Sequence, residues 1–491
     1  MEIEAKAQNI WEYISNNLIT SGLILLLIGG IGGSVKKLVA YISSPGAKLK
    51  KAQKLLDKGD KRRAKTLLRQ ILVDHRDNED VLPKALITQA DIYISDEDFD
   101  SAIQYANDAI KCNKFIGDAY YILGRAYSLK GDHKNAFQNF NEALKNVTKQ
   151  EAGCYLYRGI DYYVQKDYDN SIKDFNKALE IRPKSVLEFA YRGAAYSEKG
   201  YYDRAIVDYT QAIRLDPNFT LAYGSRGNAY NYKGDYDQAI ADYDKAIKLD
   251  PNYAKAYNNR GIAYNYKGDY DRAITDYDQA IRLDPNFALP YYNRGNAYRN
   301  KDDYDQAIAD YDQAIRLDPH FAAAYNNRGL AYGKKEEYDP AIADYDQTIR
   351  LDPNFAKAYY NRGNAYSNKG DHDRAIADYD QVIMLDPNFA KAHNNRGIAY
   401  GKKGDHDRAI ADYDQAITLN PNYAQTYNNR GDAYGKKGDY DRAIADCDQA
   451  IRLDPNYAVA YITRGEVYQK KGDTAKSDAD FAKAWELGYR S

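Results

Sequence analysis

Residues 254–287 read AKAYNNRGIAYNYKGDYDRAITDYDQAIRLDPNF. Tyr257, Gly261 and Tyr264 fall at i, i+4 and i+7, one face of a helix, and Ala273, Tyr277 and Ala280 repeat that spacing after the turn letters GDY at 268–270. The stretch therefore predicts two helices folded back on each other about a tight turn. Small residues at Gly261, Ala273 and Ala280 let the two backbones approach closely. Glycine inside a helix costs about 0.5–1 kcal/mol relative to alanine, so its presence implies a steric demand. Proline at 285 forbids continuation of the second helix, and Asn286 is expected to cap the helix that follows.

The pattern recurs. Aligned on Gly261, glycines stand at Gly124, Gly159, Gly193, Gly227, Gly295, Gly329, Gly363, Gly397, Gly431 and Gly465, every step 34 residues except one of 35. A period of this length belongs to arrays of helical hairpins. With its aromatic, glycine, tyrosine, alanine, aromatic, alanine and proline positions held by Tyr257, Gly261, Tyr264, Ala273, Tyr277, Ala280 and Pro285, the chain resembles the tetratricopeptide repeat (TPR) family. Arg260 stands where the family pattern has leucine. The resemblance covers twelve units over 83–491, with a degraded thirteenth at 45–78 marked by Ala52, Leu55, Gly59, Ala64, Leu68 and Ile71. It implies an all-α fold, a right-handed superhelical solenoid of antiparallel helix pairs whose first helices line a concave groove.

Arg260 lies three residues after Tyr257 and four before Tyr264, on the inner stripe of its helix, where an unpaired charge would be costly. Asp276, between Ala273 and Tyr277 on the second helix, is its expected partner. The sequence supplies the test. Arg158, Arg192, Arg226, Arg260, Arg294, Arg328, Arg362, Arg396, Arg430 and Arg464 each share a unit with an aspartate sixteen residues on, as in Arg294 with Asp310 and Arg328 with Asp344. The two units with Gln89 and Leu123 instead lack that aspartate and carry Tyr105 and Asn139. Covariation of this kind predicts structural ion pairs, within a hairpin or across to its neighbour, rather than free phosphate-binding or catalytic arginines.

Function is expected on the first helices. Just before the arginine, Asn259, Asn293, Asn327, Asn361, Asn395 and Asn429 follow one another in six successive units. The row resembles the asparagine ladder by which the TPR superhelix of O-GlcNAc transferase holds extended peptide, and a carboxamide offers both a donor and an acceptor to a peptide bond. The alternative is a solvated row copied by duplication. Three residues on, Asn228, Asn296 and Asn364 alternate with Ile262, Leu330 and Ile398, which marks a duplicated unit of 68 residues and adds these asparagines to the expected peptide-binding set.

The N-terminus differs from the rest. Leu18 to Val35 (LITSGLILLLIGGIGGSV) is an uncharged run of 18 residues, the lower limit for a transmembrane helix. The first 82 residues hold 14 basic and 9 acidic side chains, against 55 and 62 thereafter. Acidic residues precede the run and Lys36 and Lys37 follow it, which favours an uncleaved anchor over a signal peptide. The expected organisation is a translocated tail over 1–17, an anchor over 18–42, a basic juxtamembrane segment with the degraded unit over 43–82, and the array over 83–491 on the cytoplasmic side. Lys36, Lys37, Lys50 and Lys51 are expected to meet lipid headgroups.

Nothing in the sequence points to catalysis, a cofactor, a metal or nucleic acid. Cys112, Cys154 and Cys447 lack metal-ligand spacing, His372, His393 and His406 replace aromatics, and the array is mildly acidic. Asp478 replaces the isoleucine that precedes it in nine units, which suits a terminal unit, and Trp485 and Tyr489 are candidates for contact with a second copy. The sequence thus points to a single-pass membrane scaffold binding an extended segment of a partner protein. The alternatives are a targeting or regulatory subunit of an enzyme assembly, or a secreted or periplasmic TPR module if the apolar run is cleaved.

Overall fold

The computed structural model describes residues 44–489, within which there are 26 helices and no strand. The chain divides into two compact units, Met1–Pro251 and Asn252–Ser491, and the described residues of each form a stack of antiparallel helix pairs.

The described part of the first unit comprises α1 (Pro45–Asp57) with α2 (Lys61–Asp74), α3 (Leu82–Ser95) with α4 (Phe99–Lys111), and α5 (Ile116–Lys130) with α6 (His133–Lys145). It continues with α7 (Glu151–Val164) and α8 (Tyr168–Ile181), α9 (Val186–Glu198) and α10 (Tyr202–Leu215), and α11 (Thr220–Lys233) and α12 (Tyr236–Leu249). The pair over 45–74 buries Ala52, Leu68 and Ile71 against Ala85 and Ile92 of α3, so it packs on the array.

The second unit comprises α13 (Ala254–Tyr266) with α14 (Tyr270–Leu283), α15 (Ala288–Asn300) with α16 (Tyr304–Leu317), and α17 (Ala322–Lys334) with α18 (Tyr338–Leu351). It continues with α19 (Ala356–Asn368) and α20 (His372–Leu385), α21 (Ala390–Lys402) and α22 (His406–Leu419), α23 (Ala424–Lys436) and α24 (Tyr440–Leu453), and α25 (Ala458–Lys471) and α26 (Thr474–Glu486).

A single device closes most hairpins. An added Cβ at Gly261 would lie 2.7 Å from Cε1 of Tyr277, so only glycine lets the buried tyrosine ring come this close to α13. The turn passes through Gly268 at φ 78°, a backbone region that side chains disfavour. Asp269 then caps α14, its carboxylate accepting from the Arg272 N–H at 3.2 Å, while the Arg272 guanidinium lies 4.4 Å over the Tyr264 ring.

One expected cap is corrected. Asn286 does not cap α15. Its own N–H donates to the Asp284 carboxylate at 3.1 Å, and the N-cap residue is Phe287, which makes no side-chain bond. Aspartate before the proline folds the linker into a local turn, and the asparagine is spent inside it.

The expected anchor over 18–42, with Lys36 and Lys37, lies outside the described residues, and no helix among those described is long and apolar enough to cross a membrane. Lys50 and Lys51 are exposed on α1. At the other end Asp478 and Trp485 are exposed on α26, and Tyr489 is half-buried.

Candidate interaction surface

The arginines are held. Arg294 donates from Nε to Asp310 Oδ2 at 2.9 Å and from Nη2 to Asp310 Oδ1 at 2.6 Å. Arg260 meets Asp276 in the same two-pronged way at 2.8 and 2.6 Å, and Arg328 meets Asp344 at 2.8 and 2.5 Å. The fork repeats from Arg158–Asp174 to Arg464–Asp480. These aspartates are buried between helices, and a planar guanidinium satisfies both carboxylate oxygens at once. The hydrogen bonds that Arg396 donates to Asp412 raise its pKa above the usual arginine range.

The third nitrogen reaches a residue absent from the sequence reading. Nη1 of Arg294 donates to Asp278 of the preceding hairpin, and Arg328, Arg362, Arg396, Arg430 and Arg464 likewise reach Asp312, Asp346, Asp380, Asp414 and Asp448. In the first unit Arg192 and Arg226 use Asn176 and Thr210 instead. Each of these arginines thus ties its own hairpin to the one before. The signal was present in the letters DYD, where a second aspartate follows two residues after the first. At this position the residue is half-exposed and need not be acidic, which is why it changes where the inner aspartate does not.

The asparagines form a network along the first helices, and its bonds alternate. Asn293 donates to Asn258 at 3.0 Å, Asn361 to Asn326 at 3.0 Å and Asn429 to Asn394 at 3.1 Å. At the intervening junctions Asn327 donates to the Tyr292 hydroxyl at 2.9 Å and to Asn296 Oδ1 at 2.8 Å, and Asn395 does the same to Tyr360 and Asn364 at 3.1 and 2.9 Å. Asn259 accepts from Asn258 at 2.9 Å. Asn228, Asn296 and Asn364 accept from the buried tyrosines Tyr243, Tyr311 and Tyr379 at 2.7 to 2.8 Å. The 68-residue duplication is therefore a structural alternation, with asparagine–asparagine junctions followed by asparagine–tyrosine junctions.

The network leaves hydrogen-bonding capacity. Asn361 spends its Nδ2 on Asn326, and Oδ1 has no partner among the described residues. One turn on, Asn364 spends Oδ1 on Tyr379 and Asn395, and Nδ2 has none. Asn293 and Asn296 repeat the arrangement on α15. A free acceptor and a free donor three residues apart share one helix face.

Among the described residues no group of three His, Cys, Asp or Glu side chains could hold a metal ion. His393 is buried with Nδ1 3.6 Å from Asp412, filling an aromatic site. Cys447 is buried where other units place tyrosine, and its burial pushes the thiol pKa well up.

TPR repeat models match 193–231, 227–265, 263–302 and 295–336. Tetratricopeptide repeat models match 49–113, 87–151, 152–185, 322–355, 356–389, 390–423 and 424–457. No curated protein matches the chain. Among solved structures, MamA is 32% identical over 34% of this chain and 96% of its own, with a TM-score of 0.32. YrrB, described as a TPR protein with an unusual peptide-binding site, is 27% identical over 38% of this chain and 95% of its own, with a TM-score of 0.34. A tetratricopeptide repeat protein from Parabacteroides merdae is 22% identical over 48% of this chain and 94% of its own, with a TM-score of 0.42. With repeats of one type recognised along most of the stretch from 49 to 457, the chain belongs to the tetratricopeptide repeat proteins.

Proposed function

We propose that this chain is a non-catalytic, membrane-anchored scaffold that holds an extended segment of a partner protein along its first helices. One observation carries the reading. On α19 the unused Oδ1 of Asn361 and the unused Nδ2 of Asn364 offer an acceptor and a donor to the N–H and C=O of an extended backbone, and Asn293 and Asn296 do so on α15. The carboxamides are fixed by the network, so binding costs little side-chain ordering. Anchoring rests on the apolar run from Leu18 to Val35 and the lysines that follow it.

Peptide display against the full chain, followed by Asn361→Ala and Asn364→Ala, tests the groove. Binders selected on the protein should weaken at least tenfold in the double variant. Failure to enrich any sequence, or binders indifferent to both substitutions, would sink the reading. Flotation with liposomes, comparing the full chain with one lacking 1–42, tests the anchor, and equal flotation of the two would refute it.

A further inference from the structure

In the first unit Lys130, Lys199 and Lys233, each at the end of a first helix, meet Asp100, Asp169 and Asp203 of the preceding hairpin at 2.5 Å. Between the pair α5–α6 and the pair α7–α8 both ends of this bond are changed. Gln165 stands for the lysine and Lys134 for the aspartate. The linker there carries the one 35-residue step of the glycine register, and Arg158 reaches back to the uncharged Asn141.

A different contact occupies this junction. Asp161 of α7 is 1% exposed, at the position that Ala126, Ala195 and Ala229 hold in neighbouring units. Its Oδ1 lies 3.1 Å from Nδ1 of His133, the first residue of α6, and accepts from the Ser128 hydroxyl of α5 at 2.7 Å. Its Oδ2 is buried and has no hydrogen-bond partner among the described residues. The three side chains line a cavity of about 30 Å³ together with Ile160, Tyr163 and Tyr191. A buried carboxylate satisfied on one oxygen alone depends on the charge of its neighbour.

Few other charged groups face the pair. Asp132 caps α6, its two oxygens accepting from Asn135, and adds a second negative charge beside His133. Lys130 of α5 is turned to Asp100, and Lys134 of α6 is exposed. Burial raises the pKa of Tyr163 on α7, Tyr168 on α8 and Tyr191 on α9, which keeps them neutral, and Glu198 of α9 acts on Tyr163. The hydrogen bond to Asp161 raises the His133 pKa against the opposing effect of burial. Burial raises the Asp161 pKa, with the bonds from His133 and Ser128 opposing. Both groups therefore hold a proton more tightly in the closed junction than in an open one. For His133 the stabilisation is complete below the ordinary histidine pKa and is lost as pH rises through the raised folded value, and Asp161 acts in the same sense at lower pH.

We propose that this junction is a hinge worked by pH: with a proton on His133 the imidazolium and Asp161 clamp α7 to α5 and α6, and when the proton leaves, the buried carboxylate loses its counter-charge and the junction loosens. Hairpins in a stack are held by their nearest neighbours, so loosening one junction frees the hairpins of the first unit on its two sides to move as separate blocks.

Hydrogen exchange of the full chain, read by mass spectrometry between about pH 6 and pH 8.5, tests the hinge. Protection of α6 and α7, corrected for the intrinsic exchange rate, should fall at least about threefold over that range. Protection of α15, which Lys301 and Asp271 tie to the preceding hairpin, should stay constant. Asp161→Ala places there the residue of the neighbouring units, and it should remove the dependence and leave the junction closed at both pH values. His133→Phe should also remove it, with α7 less protected at about pH 6 than in the parent. NMR of the histidine rings, with the His133 signal assigned by its loss in His133→Phe, should show His133 titrating at higher pH in the parent than in Asp161→Ala. The same pH dependence in the parent and Asp161→Ala, protection that rises with pH, or a His133 titration unmoved by Asp161→Ala would overturn the proposal.

Discussion

Arg294 holds Asp310 by two parallel hydrogen bonds of 2.9 and 2.6 Å and at the same time donates to Asp278 one hairpin earlier, so a single guanidinium joins three helices. The inner aspartate is buried and the outer one half-exposed, which makes the two partners unequal.

Asp310→Ala strips the buried half of the pair and leaves Arg294 with one solvated partner. The expected cost is about 3–5 kcal/mol. Replacing both Arg294 and Asp310 by leucine should cost much less, because Asp278 can return to water. Urea titration of the full chain followed by circular dichroism checks this, and a double variant as unstable as the single one would count against the pair as the source.

Gly261→Ala forces a methyl group to within 2.7 Å of the Tyr277 ring, and the expected loss is about 1–3 kcal/mol. At Gly431 the added atom meets the Cys447 sulfur at 3.0 Å in place of a ring. Gly431→Ala is expected to be the milder of the two in the same denaturation assay, and the reverse order would mean that the ring does not set the spacing.

Glu336 occupies the turn at φ 62°, where Gly268 and Gly404 stand in other hairpins at 78° and 81°. A left-handed conformation costs a side-chain-bearing residue roughly 1–2 kcal/mol, partly offset by the greater freedom of glycine in the unfolded chain. Glu336→Gly should therefore stabilise the second unit by roughly 0.5–1 kcal/mol, and Gly404→Ala should destabilise it. Hydrogen exchange of the α17–α18 turn reports the first and that of the α21–α22 turn the second.

Glu188 is buried in α9 where Ala222 and Ala256 stand in later units, with Arg182 Nη2 3.2 Å away. Burial pushes its pKa up, the nearby guanidinium opposing but not reversing the shift. A folded state that binds the proton more tightly gains stability below the ordinary carboxyl pKa and loses it as pH rises through the raised folded value. Thermal melts of the full chain at acid and neutral pH should show Glu188→Gln gaining relative to the parent as pH rises. A constant difference would mean that Glu188 does not titrate differently on folding.

Much of this was legible in one dimension. The interval between Gly261 and Gly295, the turn letters before Tyr270 and the co-occurrence of Arg260 with Asp276 follow from helical periodicity and from the cost of a lone buried charge, both local enough to be written in order along the chain. The asparagine row and its 68-residue alternation were visible too, but not what the amides do.

Stacking decided the rest. Whether Arg294 also reaches Asp278, whether Asn327 turns to Tyr292 or to solvent, and whether Asp161 meets His133 all depend on where the neighbouring hairpin lies. Side chains far apart in sequence meet only when one hairpin's first helix settles on the previous hairpin's second. The chain's own order specifies which residues face inward, while the close approach of successive hairpins determines which polar groups are consumed and which stay free for a partner.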